Sequence, residues 1–345
     1  MQNRSAIIGG EFDVDLQGLK YSHSGYVSLD GIYMYSTGRS ALYYILLDVK
    51  NRYNISKVLL PDYLCSSVLI AAEKAGVEVV FYPLNDKLEL DEQFFANLYE
   101  EKCAVLIINY FGLQSIHNQV TYVRSLNKDA VIIEDDVQGF YEFQNELISV
   151  DYKFTSLRKT FACPDGGLVK TQNLLPEVNT VNKFHQYKLA GSILKSLRKP
   201  EYYDDAVYLS MFEKGESMID DDIADGMSNI AIDIISKTDT ERLAYIRRRN
   251  AKFICDGLET LCIKTILPVA EDKTPLFIPV YLDDRDKVRK YLFQHNCFCP
   301  VHWPLEGLNV KKGAEMAEHE LSIIVDQRYT NADMEYILDL ISKSK

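Results

Sequence analysis

Between Lys57 and Asp135 short apolar runs alternate with amphipathic stretches, and this alternation restricts the possible folds more than any other feature of the chain. KVLLP (57–61), VEVVFYPL (77–84), AVLIINY (104–110) and AVIIED (130–135) are short and largely apolar, the pattern of strands covered on both faces. Between them CSSVLIAAEKAG ends at Gly76, DEQFFANLYEE starts from a capping Asp91, and SIHNQVTYVRSLN has helical character. A strand, a helix and a further strand close as a right-handed parallel crossover, so the region predicts an α/β fold with a mostly parallel sheet flanked by helices. Such sheets bind ligands beyond the carboxyl ends of their strands. Pro61 with Tyr63, Tyr110 with Gly112, and Asp135 with Gln138 occupy three such ends and point to one crevice.

The first 35 residues, with GGEF and many aromatics, read as an irregular arm. After it, Ser36, Thr37 or Gly38 can start a helix whose apolar positions are Leu42, Ile45, Leu46 and Val49. Gly38, Arg39 and Ser40 at its positive end form either an anion site or a plain N-cap. From about 175 to 261 three helical stretches follow, 177–199, 216–237 and 239–261. Within them Asp220, Asp221, Asp222 and Asp225 read as a solvated turn at a helix start, and Arg247, Arg248 and Arg249 as a solvated face. TPLFIPVYL, DRDKVRKYLFQHN, ELSIIVD and NADMEYILDLISK alternate again and predict a second, smaller α/β lobe. The expected division is an arm over 1–35, a large domain over 36–238 and a small C-terminal domain over 239–345.

A formal charge of −12 argues against a nucleic-acid surface, which needs clustered cations. The longest nearly apolar run, AVLIINYFGL from Ala104, is too short for a bilayer, and no charged segment with an apolar run behind it opens the chain, so a cytoplasmic protein is expected. Seven scattered cysteines suit reduced thiols. His295, Cys297, Cys299 and His302 in HNCFCPVH have metal-ligand chemistry, but the spacing is tighter than zinc pairs use and the segment alternates like a strand; no metal is expected.

The chemistry concentrates in residues 130–171. A strand ends in Asp135 and Asp136, and downstream stands Lys159 in SLRK, followed by Gly166 and Gly167. Alone, the carboxylate reads as a helix cap and the lysine as a solvated charge. Together they are what a pyridoxal phosphate enzyme requires: a buried carboxylate that keeps the ring nitrogen protonated and an amine that attaches the cofactor.

With IEDDVQ, the lysine, and the glycine pair seven residues beyond it, the chain resembles the DegT/DnrJ/StrS family of sugar aminotransferases, of the aspartate-aminotransferase fold class (pyridoxal phosphate fold type I). The resemblance runs from about Tyr33 to the C-terminus. It implies pyridoxal 5′-phosphate as cofactor, Lys159 as its attachment point and proton shuttle, Asp135 as the ring-nitrogen partner and Gln138 as a neighbour of the ring hydroxyl. It also implies Tyr63 as the stacking aromatic, although a core tyrosine is the other reading, with Gly38, Arg39 and Ser156 gripping the phosphate. An amino acid donor, glutamate foremost, a nucleotide-linked keto sugar as acceptor, and a homodimer follow from the same resemblance. Two departures stand out. Phe154 occupies the family's phosphate-side serine position, and Ala224, Asp225, Gly226, Met227 and Ser228 align with its NYRMS segment, without the asparagine and arginine.

Rival functions are a regulatory protein that keeps the fold without turnover, or another pyridoxal phosphate reaction such as aldol cleavage or decarboxylation. Sugar deoxygenation replaces the lysine by histidine in that family, and Lys159 argues against it. A nucleotide hydrolase fails for want of a phosphate-binding loop before IIEDD.

Overall fold

The computed structural model describes residues 7–14, 27–146, 149–198, 204–221, 223–303 and 310–344. In chain order the elements are β1 (Ile8–Gly9), β2 (Tyr33–Tyr35), α1 (Gly38–Tyr53), β3 (Lys57–Pro61), α2 (Ser66–Ala75), β4 (Glu78–Tyr82), α3 (Glu92–Leu98), β5 (Cys103–Ile108), α4 (His117–Leu126) and β6 (Val131–Asp135). There follow α5 (Phe140–Phe143), β7 (Tyr152–Ser156), α6 (Leu157–Thr160), β8 (Gly167–Thr171), α7 (Phe184–Ser196), α8 (Ala206–Ser217), α9 (Asn229–Ser236) and α10 (Thr240–Thr260). The last are β9 (Phe277–Tyr281), α11 (Arg285–Gln294), β10 (Cys297–Phe298), α12 (Lys311–His319), β11 (Glu320–Ile324) and α13 (Asn331–Ser344).

Among the described residues seven strands form the central sheet, in the order β2-β8-β7-β6-β5-β3-β4. The pairs from β7 through β4 are parallel, and β8 runs antiparallel to both of its neighbours. Every residue of β5, β6 and β7 is buried, as expected of strands covered on both faces. The carboxyl ends of β3, β5, β6 and β7 therefore lie along one edge, beside the N-terminus of α1.

The glycine pair explains how α1 comes so close. Gly166 has φ +114°, a conformation other residues rarely adopt, and its N–H donates to the Ser36 carbonyl at 2.7 Å. A Cβ on Gly167 would stand 2.0 Å from the Thr37 carbonyl oxygen. Gly167→Ala is accordingly expected to cost about 3 kcal/mol, read by denaturant unfolding, because backbone rather than a flexible side chain must move.

A second core gathers α10, α11 and α13 around the antiparallel pair β9 and β11, with Ile8 of the arm inside it. The arm is thus not wholly irregular: β1 pairs in parallel with β10, and the Gly9 N–H donates to Tyr329 Oη at 2.6 Å. Between the lobes lies Arg247, only 1% exposed, which donates to the carbonyls of Pro275, Leu276 and Thr160. The expected solvated face of 247–249 is corrected there: this cation ties the start of the second lobe to the residue after Lys159. Asp220 and Asp221 follow the C-terminus of α8 rather than starting a helix, which the sequence pattern did not separate from the next stretch; Asp222 lies outside the described residues. Among the described residues no helix is long and apolar enough to cross a membrane.

Candidate active site

Two acids end β6 and a third follows it, and the alternation of the extended chain sends them to different places. Glu134 and Asp136 approach Lys153 of β7, at 3.3 and 3.6 Å, so one buried cation serves both. Asp135 points the other way, into a cavity of about 120 Å³ at the carboxyl edge of the sheet. Its Oδ1 accepts from the Val137 N–H at 2.9 Å, and among the described residues no cation pairs with it. Burial pushes its carboxyl up to about 7, with Val137 N–H pulling the other way and Glu134 adding to the rise. A buried carboxylate left in this state is a site for a cationic ligand group.

The opposite chemistry is supplied by α1. Thr37 caps the helix by accepting from the Ser40 N–H at 3.1 Å, and the Ala41 N–H returns to the Thr37 carbonyl. That leaves the N–H groups of Gly38 and Arg39 without partners among the described residues, at the positive end of a sixteen-residue helix. A Cβ on Gly38 would stand 3.2 Å from Ser156 Cβ, so the lack of a side chain lets β7 close against this helix end. Ser156 is buried and its hydroxyl has no hydrogen-bond partner among the described residues. Gly38, Arg39 and Ser156 all line the cavity that Asp135 enters. Two arginines add charge: Arg39 Nη2 donates to Ser67 Oγ at 3.0 Å and Arg39 pairs with Asp220, while Arg158 pairs with Glu216 at 3.1 Å. Burial alone raises the Glu216 carboxyl, but Arg158, Lys188 and Lys159 outweigh it and hold it at about 2.

Lys159, on the single turn α6, lines the same cavity. Among the described residues neither a hydrogen bond nor an ion pair engages its Nζ, although the amine is close enough to Glu216 and His302 to act on their charges. Gln138 also reaches the cavity; its Oε1 accepts from the Phe111 N–H at 2.9 Å, which leaves the amide nitrogen as the free donor.

Tyr63 does not reach the cavity. Asp62 beside it is tied to the N–H groups of Leu84 and Lys312, each at 3.1 Å, and Tyr63 turns inward. It stacks on Tyr110 with centroids 5.3 Å apart and donates its hydroxyl to the His302 carbonyl. This buried position matches the core reading of the tyrosine. Instead the wall includes Cys65, Ser67 and Leu276, together with His302 and Trp303, which belong to a segment far along the chain. No spacing in the sequence links 302 and 303 to 135 and 159; only the packing of the second lobe does.

Residues 224–228 are held by distant parts of the same chain. Gly226 bridges Tyr35 and Val181, and Ser228 caps α9 while binding Asp165 through both its N–H and its hydroxyl. Cys297 and Cys299 are buried with sulfurs 3.9 Å apart, and the described residues contain no group of three ligands arranged for a metal.

No protein-family model matches the sequence, and no curated protein does either. Solved structures do. The sugar aminotransferase CalS13 from Micromonospora echinospora is 14% identical over 90% of this chain and 87% of its own, with a TM-score of 0.63. The aminotransferase TlmJ from Streptoalloteichus hindustanus is 14% identical over 92% and 86%, with a TM-score of 0.65. NtdA from Bacillus subtilis, solved with the cofactor PMP bound, is 15% identical over 90% and 73%, with a TM-score of 0.62. At such identities the likeness establishes the fold, which is α/β with a mostly parallel sheet, of pyridoxal phosphate fold type I.

Proposed function

We propose that this protein is a pyridoxal phosphate-dependent aminotransferase that moves an amino group from an amino acid, glutamate foremost, to a keto group on a nucleotide-linked sugar. One observation carries the reading: a cavity holds, together, a buried carboxylate, an amine and a helix end with N–H donors, which among the described residues have no cation, no partner and no acceptor respectively. Those three features match the ring nitrogen, the aldehyde and the phosphate of pyridoxal phosphate. The shared fold with CalS13, TlmJ and the PMP-bound NtdA supports it.

When bound, the cofactor supplies an electron-poor ring that accepts the electron pair of the donor's Cα–H bond. The chain's own residues do the rest. Asp135 holds a proton at the ring nitrogen, and that cation in turn stabilises its buried charge. The N–H groups of Gly38 and Arg39 and the Ser156 hydroxyl bind the phosphate. Gln138 donates its amide N–H to the ring hydroxyl. Lys159 Nζ takes the proton from the donor's Cα and gives one back on the other side of the exchange.

Seven free cysteines fit a cytoplasmic setting, and the family resemblance supports a homodimer. Against turnover stands segment 224–228, which lacks the family's asparagine and arginine; a cofactor-holding regulatory protein is the second reading. Titration with pyridoxal phosphate is expected to give an absorbance band at the visible edge, and glutamate is expected to bleach it. A band indifferent to amino acids favours the second reading, and no band rejects both. Keto sugars screened with glutamate as donor then identify the acceptor. Ser156→Ala is expected to weaken cofactor binding roughly tenfold, about 1.4 kcal/mol, through loss of a charge-assisted hydrogen bond. Quenching of Trp303, the one tryptophan of the chain and part of the cavity wall, measures it.

A further inference from the structure

The second lobe brings to the cavity a chain of hydrogen bonds that the reaction above leaves unused. Glu320, the first residue of β11, is completely buried. Its Oε2 accepts from the His302 backbone N–H at 2.6 Å, and its Oε1 lies 2.5 Å from Ser322 Oγ, a pair in which the carboxyl donates when protonated and accepts when ionised. Ser322 Oγ in turn meets His302 Nδ1 at 2.7 Å. The imidazole is therefore fixed from behind through one nitrogen. Its other nitrogen, Nε2, has no partner among the described residues, and the residue lines the cavity beside Trp303 and Lys159.

We propose that Glu320, acting through Ser322, sets which nitrogen of His302 carries the proton, and that His302 Nε2–H thereby serves as hydrogen-bond donor to the keto oxygen of the amino acceptor. The second half of this inference rests on the aminotransferase reading; the first does not.

The relay has two states. With Glu320 protonated, Oε1–H donates to Ser322 Oγ, the Ser322 hydroxyl donates to His302 Nδ1, and Nε2 carries the ring proton toward the cavity. With Glu320 ionised, the Ser322 hydroxyl donates to Oε1, Nδ1–H donates to Ser322 Oγ, and Nε2 offers a lone pair. Passing from the first to the second releases one proton from Nε2, while one moves from Glu320 to Ser322 and another from Ser322 to Nδ1. The relay thus gives a buried carboxyl a proton path to the cavity.

Burial raises Glu320 to about 8, against the donations from His302 N–H and Ser322 and the charge of Arg285. Burial, with Lys159 adding to it, lowers His302 to about 3 and keeps the imidazole neutral. The groups facing the relay are Arg285 of α11, which donates to the Glu320 carbonyl at 3.0 Å, Tyr63, whose hydroxyl binds the His302 carbonyl, and Lys159 of α6. Near neutral pH the Nε2–H state prevails. A neutral ring N–H aimed at a carbonyl oxygen stabilises the charge that develops there as the carbon is attacked.

The test uses the full-length protein loaded with pyridoxal phosphate and labelled with nitrogen-15 histidine, with His302→Gln assigning the ring. His302 is expected to be Nε2–H below about pH 8 and Nδ1–H above it, and Glu320→Gln is expected to remove the transition. In parallel the aminated protein is mixed with 2-oxoglutarate, the keto product of a glutamate donor. His302→Ala is expected to slow that half-reaction tenfold or more while keeping the cofactor's absorbance band. His302→Gln, whose amide N–H reaches toward the place of Nε2, is expected to restore part of the rate. In the wild type the rate is expected to fall as pH rises through about 8, and in Glu320→Gln to lose that step. A tautomer that ignores both pH and Glu320→Gln overturns the relay. A His302→Ala rate within twofold of wild type overturns the donor role. A protein that binds cofactor and switches tautomer but never reacts with 2-oxoglutarate rejects the donor role together with the aminotransferase reading, and leaves the relay standing.

Discussion

Lys159→Ala is expected to abolish the visible-edge band that pyridoxal phosphate gives with the wild type, and to lower turnover with glutamate by at least about 10³-fold. A positioned group that moves a proton in the transition state contributes on the order of 10²–10⁴-fold, and the covalent attachment is lost as well. Stability separates this from simple damage. Lys159 is exposed and nothing among the described residues holds its amine, so its removal is expected to change unfolding free energy by no more than about 0.5 kcal/mol. The helix end of α1 and Ser156 remain, so cofactor binding read by Trp303 quenching is expected to weaken but persist. A lysine that was only a solvated charge would leave band and turnover as they were.

Asp135→Asn is expected to move activity and stability in opposite directions. Turnover falls by on the order of 10²–10³-fold, because an amide cannot keep the ring nitrogen cationic and a preorganised charge is lost where charge develops. The cofactor-free protein becomes more stable. The Asp135 carboxyl lies at about 7, above its ordinary 3.8, so its favourable contribution is complete below about pH 4 and is lost as pH rises through 7. Above that range a charge sits buried without a partner. Asparagine removes that cost while its oxygen still accepts from the Val137 N–H, so a gain on the order of 1–4 kcal/mol is expected at pH 8, shrinking to nothing near pH 4. Denaturant unfolding of the two cofactor-free proteins across this range measures it. Saturating pyridoxal phosphate is expected to reverse the order, since only the wild type gains the ion pair.

Strands β3, β5 and β6 are legible because burial on both faces leaves unbroken apolar runs, β4 is legible from its apolar run although it is a half-exposed edge strand, and the crevice at their carboxyl ends follows from the crossover rule. Strand β7 was not legible. Its Lys153 breaks the apolar run, and only the structure reveals that this lysine is buried against Glu134 and Asp136. Strand β8 owes its place to the glycine pair, whose spacing is visible in the sequence but whose reason, the contact with the Thr37 carbonyl, is a matter of packing. Of the seven residues expected at the site, Gly38, Arg39, Asp135, Gln138, Ser156 and Lys159 share one cavity, whereas Tyr63 lies behind its wall. Local sequence could not decide which way Tyr63 turns, because that depends on the ties that Asp62 makes to Leu84 and Lys312. In the sequence His302 stands out only as a potential metal ligand. Its place in the same cavity as Lys159 arises from how the second lobe docks, and Arg247 fastens that docking from inside a run of three arginines that looks solvated in the sequence.

Borohydride reduction of the protein mixed with pyridoxal phosphate, followed by peptide mapping, tests the central arrangement most directly. The reductant fixes the cofactor permanently to whichever lysine holds it. A single pyridoxyl group on Lys159, missing when Asp135 and Ser156 are both replaced by alanine and excess inorganic phosphate competes, is the result expected. A label spread over surface lysines, or fixed on another lysine while 159 stays unmodified, contradicts the assignment of this cavity.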